Sequence, residues 1–103
     1  MRIGKALKEI RKHKGISQMQ LAEQIGISQT SLSQIESDIK RPSVSTIKKI
    51  CEILEVSEPL VYLMATEESD VPESRRMLFN ALLPTLKSVV LQIAGPDLGG
   101  ELS

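Results

Sequence analysis

No tryptophan occurs in these 103 residues, and Tyr62 and Phe79 are the only aromatics. A core must then be assembled from Ile, Leu, Val, Ala and Met, which favours helices packed on helices over an aromatic-rich sheet. The same scarcity denies the chain a platform for stacking single-stranded RNA bases. Cys51 stands alone inside an apolar helical pattern, so no intrachain disulfide can close and no zinc cluster can assemble. It reads as a small buried hydrophobe. His13 is the one histidine and is expected exposed at a helix end. With no second histidine, no nucleophile elbow and no metal-ligand spacing, the chain is expected to be no enzyme and to hold no metal or cofactor.

The N-terminal MRIGKALKEIRK has no apolar stretch of the kind that opens a secretion signal. No run approaches the ~18 apolar residues of a membrane span, so a cytoplasmic protein is expected. Formal net charge is zero, yet the charges are unevenly laid. Met1 to Lys49 carries ten Lys/Arg against four Asp/Glu, a surplus of +6; Thr66 to Ser103 carries three against six, a deficit of −3. Ordinary solvated charge can do this. A basic front half with an acidic tail also fits a polyanion-binding module joined to a segment that does not bind polyanions.

The length suits one domain, or one small domain with an appendage, and the periodicity is helical throughout. Ile3, Ala6, Leu7 and Ile10 make an amphipathic first helix that ends at His13, Lys14 and Gly15. Ser17 and Gln20 form a capping box for a second helix, with Leu21, Ala22 and Ile25 inside and Gly26 as its stop. Ser28 caps a third helix, whose apolar positions are only Leu32 and Ile35. Asp38 to Pro42 is a loop. Ser43 or Ser45 caps a fourth helix with Val44, Ile47, Ile50, Cys51 and Leu54 inside; Ser57 caps a fifth, with Pro59 in its first turn, through Leu60, Val61, Leu63 and Met64. After the polar linker Thr66 to Asp70, a capping box of Asp70 and Glu73 opens a long helix over 71–94. Pro84 in its middle predicts a kink or two consecutive helices. A Gly-rich tail, expected frayed, closes the chain.

The stretch SQMQLAEQIGISQTSLSQIE, Ser17 to Glu36, carries the chemistry. The apolar stripe of the third helix is too narrow to bury more than one side, so Gln29, Thr30, Ser33 and Gln34 must face outward. A short helix of small uncharged polar groups fits the ~12 Å major groove of DNA. Gln offers a donor and an acceptor together to an adenine edge, and the hydroxyls of Thr and Ser donate or accept. These four residues are the candidate base readers.

The same stretch resembles the phage-repressor and Cro-type helix-turn-helix family, often called XRE-like, from about Ile3 to Met64. Small Ala22, Gly26 four positions on, the apolar set Leu21, Ile25, Ile27, Leu32 and Ile35, acidic Glu36 and the loop-ending Pro42-Ser43 all match its pattern. The resemblance implies an all-α, five-helix lambda-repressor-like domain at 1–65, with its motif at 18–37. It implies a bracing Arg11–Glu36 pair. It also implies base contacts from Gln29, Thr30 and Gln34, with Ser33 beside them. Phosphate contacts are implied at Ser17 and Gln18, where a helix N-terminus favours an anion, with Ser28 placed among them, and at Ser37, Lys40 and Arg41 in the following loop. One departure falls in that loop. The family has Asn-Gly where this chain has Ser37-Asp38, and Asp38 adds a negative charge near the expected phosphate path.

Residues 66–103 read as an acidic linker, a helical dimerisation segment and the tail. Leu78, Phe79, Leu82, Leu86, Val89, Val90 and Ile93 give the helix an apolar face too broad for solvent. Dimerisation on two half-sites ~34 Å apart is the expectation; packing back on the first and fifth helices is the alternative, and both can hold. The function expected is a sequence-specific regulator of double-stranded DNA, a homodimeric repressor acting by occupancy. Alternatives are an antitoxin-type DNA-binding autoregulator whose C-terminal segment binds a toxin, and a protein-interaction module that has lost DNA binding.

Overall fold

Apolar residues three and four apart give α1, Ile3–His13, a buried face of Ala6, Leu7 and Ile10, while Lys5, Lys8 and Lys12 stay in solvent. The computed structural model describes residues 1–96, and among these it is all-helical. The expected frayed tail lies, from Asp97 onward, outside the described residues. α2 (Gln18–Ile25) and α3 (Gln29–Glu36) follow, then α4 (Val44–Leu54) and α5 (Glu58–Ala65). Two short 3-10 turns, Glu68–Asp70 and Glu73–Arg75, lead into α6 (Arg76–Ala94). One core holds the elements together; Leu7, Ile10, Leu21, Leu32, Ile50, Leu54 and Val61 are its most deeply buried members.

Serines start the helices as expected. Ser17 and Gln20 form the reciprocal box on α2, Ser28 Oγ accepts from the Ser31 N–H, and Ser43 rather than Ser45 caps α4. Ser57 holds the N-cap position of α5 without a side-chain bond. Gly26 ends α2 at φ +87°, a left-handed conformation that glycine adopts without strain. Lys49 Nζ donates to the Ile25 carbonyl at 2.9 Å and so tethers the end of α2 to α4.

Two residues expected inside are outside. Val44, in the first turn of α4, is 78% exposed, and Leu63 of α5 is 41% exposed. The start of the long helix also differs. Asp70 pairs with Glu67 in a capping box on the first 3-10 turn, accepting from the Glu67 N–H at 2.8 Å, which holds its carboxyl below the usual range. Pro72 forces Val71 into an extended conformation, and α6 begins only at Arg76. Pro84 neither ends nor divides α6, which runs unbroken through it. Asn80 and Pro84 are both exposed, so water can serve the freed carbonyl.

α6 packs back on its own chain alongside α1 and α5. Val90 and Ala94 enter the common core, so Val90 is an intrachain core residue and leaves the expected dimerisation face. Phe79 and Leu86 are half-buried. The end of α6 is fastened by α1: Lys14, fully buried, donates to the Ala94 carbonyl, and His13 Nε2 meets the Gly95 carbonyl at 3.1 Å. The Lys14 ammonium thus meets the negative end of the helix dipole. Leu78, Leu82, Val89 and Ile93 remain exposed on the opposite side. Glu73–Ala94 is long and apolar enough, at mean hydropathy 1.5, to cross a membrane by length and composition alone, although polar residues such as Asn80, Lys87 and Gln92 interrupt it.

Candidate nucleic-acid interface

The third helix is aimed by a buried ion pair. Arg11 Nε donates to Glu36 Oε2 at 2.7 Å and a second guanidinium N–H reaches Oε1 at 3.0 Å, a bidentate pair between α1 and the last turn of α3. The remaining arm of Arg11 donates to the Ile16 carbonyl at 2.9 Å. Both residues are buried and every polar atom of the pair is served, which is the condition for such a pair to be tolerated.

From this pair a hydrogen-bonded chain reaches the surface. Gln18 donates its amide to Glu36 Oε1 at 3.0 Å, and Gln29 donates to Gln18 Oε1 at 3.3 Å. Gln29, Thr30 and Gln34 are exposed and Ser33 is half-exposed. Together with Gln18 these four line one shallow concavity. The structure therefore brings all four candidate base readers onto one open face.

The expected phosphate contacts are spread around that face. Ser17 and Ser28 sit at the N-termini of α2 and α3, each hydroxyl already accepting a backbone N–H. The first-turn N–H groups of α2, on Gln18 and Met19, are ones an α-helix leaves free. Gln18 faces Glu36 and Gln29 here rather than open solvent. Ser37 caps the end of α3 in an exposed position. Lys40 Nζ donates to Ser31 Oγ at 3.2 Å, and Arg41 is exposed.

Asp38 does not project its charge along this path. It adopts φ +60°, and its carboxylate accepts from the Gly4 N–H at 2.8 Å and the Lys5 N–H at 3.1 Å, with Arg2 Nε at 3.4 Å. It is the N-terminal cap of α1, filling a role that Arg2, at the N-cap position, does not. Gly4 permits this closeness: a Cβ there would lie 1.8 Å from the Ile35 carbonyl oxygen. Neither role was found from the sequence. The one signal present was an aspartate where the family's glycine belongs.

The chain matches the helix-turn-helix family over residues 7–61. The chain belongs to that family. Over 72 residues it is 36% identical to the HTH-type transcriptional regulator PuuR of Escherichia coli (strain K12), covering 68% of this chain and 37% of that protein. It is 39% identical over 56 residues to the HTH-type transcriptional regulator SinR of Bacillus subtilis (strain 168), covering 53% of this chain and 50% of that one. With the immunity repressor protein of Bacillus phage phi105 it shares 33% identity over 75 residues, 73% of this chain and 50% of the repressor. The chain thus spans 37% to 50% of the length of these curated relatives. No solved structure matches the chain.

Proposed function

We propose that this chain is a sequence-specific binder of double-stranded DNA that regulates transcription as a homodimer, most simply as a repressor occupying a two-fold symmetric operator. Residues 1–65 supply the DNA-binding unit, and within 66–103 the helical segment supplies the dimer contact. The observation that carries this reading is the exposed face of Gln29, Thr30, Ser33 and Gln34 on α3, its first member held by the Gln18–Glu36–Arg11 chain. Preorganised amides and hydroxyls on a protruding helix suit base edges in the major groove. The regulator and repressor names of the relatives agree with it.

The dimer half of the reading rests on α6. Its two cations are both turned to its own chain, Arg76 to the carbonyls of Glu68 and Val71, Lys87 to Glu9 at 3.7 Å. The outer side exposes Leu78, Leu82, Val89 and Ile93 and carries no charged residue. Such a face can meet its own copy across a two-fold axis without like-charge repulsion. The test of the base-reading claim is Gln29→Ala/Gln34→Ala in the full chain. That variant keeps salt-dependent binding to DNA of any sequence and loses its preference among sequences. A variant as selective as the parent would sink the assignment of these glutamines.

A further inference from the structure

We propose that the exposed lysine row of α1 is a second phosphate-binding track, gripping DNA backbone beyond the contacts made by α3 and its loop. The proposal deepens the DNA-binding reading and rests on it. Lys5, Lys8 and Lys12 recur at steps of three and four and form one ridge. With Arg2 and one carboxylate, Glu9, they wall a shallow concavity whose far side is Glu36 and Ser37, at the end of the recognition helix. The row therefore borders the expected phosphate contact at Ser37.

Positive charge predominates in that concavity: Arg2 and three lysines face Glu9 and the Arg11-paired Glu36. None of the three ammonium groups has an ion-pair or hydrogen-bond partner among the described residues. The nearby carboxylates are engaged elsewhere: Glu36 by Arg11 and Gln18, Glu9 by Lys87, Asp38 by the α1 N-terminus and Arg2. Like charges at these helical spacings oppose the helix they sit on. A row left open among the described residues is suited to receive an anion from outside. A DNA strand carrying one phosphate charge per ~3.4 Å of helix axis suits a linear row of cations.

The experiment measures the salt dependence of duplex binding by the full chain and by Lys8→Gln/Lys12→Gln, on the preferred site recovered by the parent and on a scrambled duplex. Glutamine keeps the helix propensity of lysine, and circular dichroism confirms the fold. Each phosphate neutralised contributes ~0.9 to the slope of log affinity against log salt. The double variant is expected to lose about 1.8 of slope per protomer and to bind both duplexes about tenfold or more weakly. The ratio between the two duplexes stays as in the parent. Its thermal midpoint equals or exceeds the parent's, since repulsion is relieved. Arg75→Gln, outside the concavity, leaves the slope unchanged.

An unchanged slope in the double variant, with the parent binding DNA normally, overturns the track and leaves the DNA-binding reading standing. A parent that retains no duplex at low salt overturns both. A double variant that keeps its DNA slope but loses retention on vesicles of anionic lipid assigns the row to a membrane surface and overturns the proposal.

Discussion

Asp38 caps α1 across the molecule: its Oδ1 accepts from the Gly4 N–H at 2.8 Å, 34 residues away in sequence. This contact fixes α1 against the end of α3, and Gly4 allows it. Gly4→Ala forces a Cβ into the Ile35 carbonyl, where backbone rather than a pliant side chain must yield. The expected loss is about 2 kcal/mol or more. Asp38→Ala removes the cap and costs about 1 kcal/mol, while Asp38→Asn, which keeps one oxygen acceptor and tolerates φ +60°, costs less. Urea denaturation of the three variants measures the order.

The Arg11–Glu36 pair should behave as a buried unit. Glu36→Leu strands the guanidinium and is expected to cost about 3–5 kcal/mol, and Arg11→Met to cost a similar amount. The double substitution Arg11→Met/Glu36→Leu leaves no unpaired charge, so its destabilisation falls well short of the sum. A double-mutant cycle by chemical denaturation reads the coupling. Additive losses would show that the two groups do not act together.

The outer face of α6 is separable from the fold. Leu82 and Val89 are 55% and 43% exposed, so Leu82→Glu/Val89→Glu leaves the thermal midpoint within a few degrees of the parent. Light scattering on the full chain should then report a dimer for the parent and a monomer for the variant. DNA affinity falls with the loss of the second half-site. A parent that is monomeric at high micromolar concentration removes the dimer from the account.

Burial, with Glu58 adding to it, pushes the Cys51 thiol up to about 11. The folded state therefore holds this proton to a higher pH than the unfolded chain, whose thiol ionises near ~8.5. The stabilising contribution is complete below that value and is lost as pH rises toward 11. The stability difference between the parent and Cys51→Ala should shrink between about pH 8.5 and pH 10.5. At pH 8 the native thiol should resist a disulfide reagent that modifies it at once in urea.

Much of this architecture is legible along the chain because its rules are local. A serine three residues ahead of a free N–H, a glycine after an apolar stripe and a narrow stripe on α3 act within one or two turns, and Ser17, Ser28, Ser43 and Gly26 sit where those rules put them. What could not be read arises where elements cross. The need for glycine at position 4 comes from the Ile35 carbonyl, and the use of Asp38 from the open end of a helix 34 residues earlier. Val44 and Leu63 fit the apolar period yet stay exposed among the described residues. The broad stripe of α6 likewise gave no way to divide Val90, which enters the core, from Val89, which does not. At the interface, Gln29, Thr30, Ser33 and Gln34 were readable from the stripe, whereas the bridging of Gln18 to Glu36 required the folded crossing of α2 and α3.

The most direct measurement is selection of duplexes from a random pool by the full-length chain at moderate salt. The account predicts enrichment of a two-fold symmetric site whose half-sites lie about one helical turn, ~34 Å, apart. Retention of no duplex even in low salt, or retention of all sequences alike, would contradict it.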